Sequence, residues 1–268
     1  MMDAIEIKIN DAVPEPKQRI THVMVVAPAI SVVFLTVFAF MAGGGNVGPS
    51  IFLSMPTLTF DVPYLRLWGA RYLPHDFDNG WRWFTCTLVH MSFRHMIVNF
   101  TLTLIMGVAF ESMEGTLRAL VVVVSSAAGG SFFSAVTESP CLVFLGGSGI
   151  TFGFAGALIV ASIRHALLKH PPPVNFISTW WFIVGSLVFF TIGMFIDPII
   201  SAPSMVSNMT HVGGLLSGQA VTALMYMPRG DKRWKVIQII AATCIVGVFV
   251  VSPAVIYTSV LEDARVCD

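Results

Sequence analysis

Charge is scarce in this chain. Of its 268 residues only 11% are Asp, Glu, Lys or Arg, against 55% hydrophobic residues and a mean hydropathy of +0.79. A soluble domain carries about 25% charged residues, so this shortage excludes an ordinary soluble fold. The charges that are present cancel, 15 basic against 15 acidic, and no nucleic-acid partner is expected. Cysteine is sparse as well: Cys86, Cys141, Cys244 and Cys267 show no CxxC pair and no framework spacing, which excludes a disulfide-built scaffold. No HExxH motif for zinc is present, and Glu111, Glu114, Glu138 and Asp197 form no transmembrane aspartate pair. His90 and His95 alone make a weak case for a metal, so neither metal nor cofactor is expected. Internal repeats, low-complexity runs and a second domain are also lacking.

What fills the chain instead is long apolar stretches. A run of about 18 or more apolar residues can cross a bilayer as a helix, because its backbone groups are then satisfied internally. Seven such runs lie near residues 22–42, 91–110, 118–137, 147–167, 176–196, 206–227 and 236–260. The spacing predicts an all-α polytopic membrane protein. The opening stretch MMDAIEIKINDAVPEPKQRI carries acids and prolines, unlike a cleaved signal or an Arg-rich transit peptide. Residues 1–21 are therefore read as a tail before a retained helix.

Lys and Arg concentrate on cytoplasmic loops. With the N-terminus inside, ten of them, from Lys8 to Lys235, fall on the cytoplasmic side, and Arg66, Arg71, Arg82, Arg94 and Arg265 remain outside. Seven crossings then put the tail LEDARVCD outside. Cys141 and Cys267 share that side, where a disulfide could form, although isolated cysteines are more often packing residues. The connection 43–83 is rich in Tyr and Trp, side chains that settle at headgroup level, and is expected to lie in the outer interface. The sequons at Asn99 and Asn208 fall within predicted helices and are rejected as glycosylation sites.

Polar side chains at membrane depth are costly and mark functional sites by default. Three groups stand out: His90, His95 and Asn99 opening the second predicted helix, Gly147-Ser148-Gly149 opening the fourth, and Asn208, Thr210 and His211 opening the sixth. All three helices enter from the outer side, so their polar groups can converge in one shallow cavity. Serine becomes a nucleophile when a base takes its proton, and histidine is the usual base. Successive residues of a helix are about 100° apart, which places His211, Gly214 and Gly218 on one face. Glycines there admit a close neighbour, and Gly149, Gly153 and Gly156 offer a matching series. Close packing of these two helices would bring Ser148 to His211. The open N–H groups at the helix start, with His95 and Asn99, could hold an oxyanion. No acid lies near His211 within its own helix, so the pattern is a Ser-His dyad. Taken singly, each of these residues is more often structural; their coincidence on one side of the membrane is what favours chemistry.

These residues resemble the rhomboid intramembrane serine proteases over residues 81–218. The shared pattern includes Trp81-Arg82, HxxxxHxxxN at His90, His95 and Asn99, Glu111 with Gly115, GxSG at Gly146 to Gly149, and HxxGxxxG at His211, Gly214 and Gly218. The resemblance implies Ser148 as nucleophile and His211 as base, with His95, Asn99 and the Ser148 backbone as oxyanion donors. It also implies His90, Trp81, Arg82, Phe152, Gly149, Gly214 and Gly218 as structural supports, and a lateral gate at Val98 and Phe190. Phe152 stands where the family commonly has a tyrosine, and Glu111-Ser112-Met113 keeps only half of an ExR motif. Residues 22–227 would form a six-helix catalytic core and 228–268 an inner loop, a seventh helix and an outer tail, in the 6+1 arrangement. Single-pass membrane proteins would be the substrates, cut in a Golgi, plasma or endosomal membrane. The rival readings are a non-catalytic rhomboid-like protein that binds membrane clients, and a seven-helix receptor or transporter. The latter leaves the three polar groups unexplained.

Overall fold

The computed structural model describes residues 23–44, 59–76, 79–168, 185, 188, 207–226, 232–264 and 267. The long helices are α1 (Val26–Gly44), α2 (Phe93–Glu114), α3 (Thr116–Thr137), α4 (Ser148–Leu168), α5 (Asn208–Met225) and α6 (Lys232–Ala264). No strand occurs among the described residues; only two isolated bridges do, Thr59 with Ser92 and Arg71 with Phe144. Of these helices, α1, α2, α3 and α6 are long and apolar enough to cross a membrane. The predicted span 176–196, and Phe190 within it, lies outside the described residues apart from 185 and 188, as does the tail 1–21.

The helix ends follow from local chemistry. The first N–H groups of a helix have no partner within it, and Glu111 in the last turn of α2 supplies one for α1. Its Oε1 accepts from Val25 N at 2.9 Å and Val26 N at 3.0 Å, and its Oε2 from Ala27 N at 3.0 Å. The acid of the half-kept motif is thus a cap for another helix. Nearby, Arg118 pairs with Glu114 at 2.7 Å. Gly115 breaks the chain between α2 and α3 at φ +90°, a left-handed conformation that glycine adopts at least cost. In α6 the wide turn Gly247–Val251 precedes Pro253. Proline has no N–H and crowds the preceding turn, and the widened turn relieves that crowding, with Ser252 Oγ donating to Gly247 O at 3.1 Å.

α4 is the axis of the molecule. Every residue from Gly149 to Ser162 is buried, with α2, α3 and α5 packed around it. Lipid tails are as apolar as a leucine core, so helices in a membrane associate through close packing of small residues. Such residues line these contacts: Gly153 of α4 lies against Ser126 of α3, and Gly129 of α3 against Ser217 of α5.

The connection between α1 and α2 is folded over its described part, from residue 59 on. It contains short helices at Val62–Leu67, Leu73–Asp76 and Arg82–Thr85, then a tight turn at Cys86–Leu88. Cys141 and Cys267 are joined as a disulfide with a Cα–Cα distance of 5.4 Å, the alternative that the scattered cysteines did not favour. It ties the chain after α6 to the α3–α4 connection. Cys86 is buried, which pushes its thiol up to about 11 against the opposing influence of Arg71, and only the thiolate reacts readily. Alkylation at neutral pH without reductant is therefore expected to spare Cys86, Cys141 and Cys267 in the folded protein. After denaturation two thiols should react without reductant, and reduction should raise that to four. Intact-mass analysis reads the counts, and four labels before reduction would remove the bridge.

Candidate active site

Three helix starts meet around the residue that begins α4. Ser92 caps α2: its side chain accepts from His95 N at 3.2 Å, which places His95 in the first turn and Asn99 one turn later. Asn99 is buried and donates its Nδ2 to His95 O at 3.1 Å, while its Oδ1 accepts from Thr151 Oγ1 at 3.4 Å. The hydroxyls of Thr151 and Thr103 are 2.7 Å apart. These contacts set α2 against the first turn of α4, beside Ser148.

The segment leading into Ser148 is fastened at Phe144, Gly146 and Gly147. Arg71 N donates to Phe144 O at 2.9 Å and Phe144 N to Arg71 O at 2.8 Å; Gly146 N donates to Cys86 O at 2.9 Å. Gly147 N donates to His90 Nε2 at 3.2 Å, so that nitrogen is the acceptor and the ring proton is on Nδ1, 3.2 Å from Leu88 O. The buried His90 thereby orients the backbone next to Ser148. Gly146 has φ +113°, and a Cβ there would meet the His95 ring at 2.7 Å. The imidazole of His95 therefore lies directly over this turn.

α5 closes the arrangement. A Cβ on Gly214 would come 2.2 Å from Gly149 O, and one on Gly218 would come 2.1 Å from Gly153 O. Backbone thus meets backbone along the two glycine series. His211 is buried and stacks on Phe152, with ring centroids 4.2 Å apart and planes at 25°. Ser148 lies one residue before the Gly214 contact, and Phe152 one turn beyond it. Truncating Phe152 to alanine leaves the imidazole without its platform. An aromatic stack is worth about 0.5–1.5 kcal/mol beyond burial, so Phe152→Ala is expected to lose that stabilisation on top of the cost of the cavity it leaves, while Phe152→Tyr, which keeps the ring, should lose far less. Thermal shifts of the three proteins check this.

Trp81 and Arg82 lie in the folded connection, away from the helix starts. Arg82 Nη1 donates to Arg66 O at 2.6 Å and Ala70 O at 2.8 Å, and its guanidinium covers the Trp81 ring at 4.5 Å. Val98 is on the exposed flank of α2.

Two further residues were missed from the sequence. Arg71 is buried: Nη1 donates to Ser131 O at 2.6 Å and to Ser131 Oγ at 2.8 Å, and the guanidinium lies between Trp83 and Phe144, 4.5 Å from each ring. It joins the connection, α3 and the segment before Ser148. Glu138, just past the end of α3, binds the first turn of α5. Neither carried a motif, since each acts on residues far away in sequence.

A family profile described as the rhomboid domain matches residues 78–228. Among curated proteins, RHOMBOID-like protein 5 of Arabidopsis thaliana is 29% identical over 160 residues, covering 59% of this chain and 48% of that one. RHOMBOID-like protein 6, mitochondrial, of the same plant is 26% identical over 150 residues, 56% of this chain and 45% of that one. Rhomboid protease GlpG of Haemophilus influenzae is 27% identical over 159 residues, 59% of this chain and 75% of that one. The chain spans about half the length of the Arabidopsis relatives it matches.

Proposed function

The chain belongs to the rhomboid family, and from that premise we propose that it is an intramembrane serine endopeptidase that hydrolyses peptide bonds in or next to the transmembrane helices of single-pass membrane proteins. The observation that carries the reading is the backbone contact of Gly149 with Gly214, together with the stack of Phe152 on His211. These hold the first turns of α4 and α5 side by side, with Ser148 on one and His211 on the other. One relative is named a protease, which agrees with this reading.

In the proposed reaction Ser148 Oγ attacks the scissile carbonyl as its proton passes to an imidazole nitrogen of His211. The carbonyl oxygen becomes an oxyanion, and donors for it come from the Ser148 backbone N–H and the side chains of His95 and Asn99. Fixed donors at such an oxyanion are each worth roughly 3–4 kcal/mol. Collapse breaks the C–N bond, and His211 returns the proton to the departing amine. Water then attacks the Ser148 ester, losing its proton to His211; the bond from the carbonyl carbon to Ser148 Oγ breaks as His211 gives that proton to Oγ, and the acid product leaves. No carboxylate partner of His211 is invoked; its ring is held by Phe152 instead.

A substrate helix must unwind to present its peptide bond, so cleavage next to Gly or Pro is favoured. The same reading takes residues 22–227 as the catalytic core and 228–268 as an added helix and tail, with the N-terminus cytoplasmic. It places the protein in a Golgi, plasma or endosomal membrane. Substrate is proposed to enter through a gate at Val98 and Phe190. The test is cleavage of a panel of single-pass reporters in liposomes, with products mapped by mass spectrometry. Cuts inside or beside the reporter helix are expected; binding of reporters without any product would favour a client-binding protein.

A further inference from the structure

His211 is the fourth residue of α5, and the end of a helix is where it frays. The N–H groups of the first turn have no partner inside the helix, and the position of the imidazole depends on that turn staying closed. Two side chains close it. Ser207, the cap, accepts from Thr210 N at 3.1 Å, and Thr210 Oγ1 lies 2.6 Å from the same oxygen. The Ser207 hydroxyl in turn donates to Glu138 Oε2, and Glu138 Oε1 accepts from Met209 N at 3.2 Å. Glu138 follows Thr137, the last residue of α3, and its negative charge suits the positive end of the α5 dipole.

We propose that Glu138 is a positioning residue for the base: from the end of α3 it clamps the first turn of α5 and so sets where His211 stands relative to Ser148. The proposal rests on the protease reading. It separates α5 from α1, whose first turn is capped by Glu111 and carries no reacting group. It also gives the segment 138–148 two functions, since one end holds the helix of the base and the other bears the nucleophile.

The test measures the second-order rate at which a fluorophosphonate labels Ser148 in the full-length protein in detergent, beside kcat and KM for a cleaved reporter. In labelling, Ser148 Oγ bonds to phosphorus, fluoride leaves, and the serine proton goes to His211, so the rate reports the base without any substrate. The rates are measured at a temperature where each variant is fully folded by thermal shift, so a loss of stability alone leaves the rate constant unchanged. Glu138→Ala is expected to lower both the labelling rate and kcat roughly tenfold, in line with a small displacement of a catalytic group, with KM within twofold. Glu138→Gln keeps an acceptor oxygen and is expected to stay within about threefold of wild type, whereas Glu138→Asp, one methylene short, should resemble alanine. Where Glu138→Ala fails to fold, the contrast of Gln with Asp decides. Labelling of Glu138→Ala, or of both Gln and Asp, at the wild-type rate overturns the clamp and leaves the protease reading standing. A wild type that neither labels at Ser148 nor cleaves any reporter overturns both.

Discussion

Replacing Ser148 by alanine is expected to remove reporter cleavage altogether, at least about a 10³-fold loss, and His211→Ala is expected to match it. In the proposed reaction the two act as one unit: serine without its base is a weak nucleophile, and the base without serine has nothing to activate. Effects of such units are non-additive, so the double variant should be no slower than either single one. Stability should move little for Ser148→Ala, because the serine is only partly buried at the start of α4. His211→Ala is the more disturbing change, since the ring is buried against Phe152, and its folding is to be checked by thermal shift. Fluorophosphonate should label wild type once and Ser148→Ala not at all. Persistent cleavage by either folded variant would mean that the product arises elsewhere.

Much of this arrangement is legible in the sequence, and the reason is physical. In a membrane, apolar runs of fixed length announce helices, and a polar residue at depth must have a use. Ser148, His211, His95 and Asn99 stand out as candidates because they coincide at three helix starts, not on their polarity taken singly. The pairing of α4 with α5 is visible too, because small residues repeated on one helical face leave nothing but backbone to pack, and the structure sets Gly214 on Gly149 and Gly218 on Gly153. Contacts that join distant segments leave no such trace. Arg71 reads as one more basic loop residue until it is seen buried against α3, donating to Ser131. Glu138 is 69 residues from Ser207, and Cys141 is 126 from Cys267. The folded connection 59–88 is built from long-range hydrogen bonds such as Arg82 to Arg66 O and Gly146 to Cys86 O, which no local periodicity predicts.

The second large effect is expected at Gly214. An added Cβ there would lie 2.2 Å from Gly149 O and 2.9 Å from Gly149 C and Cα, so what it meets is backbone, with no flexible side chain to yield. Ordinary contact begins at 3.4 Å, more than 1 Å farther out, and the two helices must move apart to provide it. Overpacking of this kind costs about 1–3 kcal/mol, and a thermal shift should show it. The catalytic cost should exceed the structural one, because the helices that separate are those bearing Ser148 and His211. A displacement near 1 Å in a reacting pair can cost about 10²-fold. Gly214→Ala is therefore expected to lose about 10²-fold in cleavage at temperatures where it remains folded, with the fluorophosphonate labelling rate falling in parallel. Gly43, near the end of α1, has nothing within 4 Å of an added Cβ, and Gly43→Ala should leave both rates unchanged. If Gly214→Ala instead keeps its labelling rate within threefold of Gly43→Ala, the contact between α4 and α5 does not set the geometry of the pair, and the observation on which the catalytic reading rests is lost.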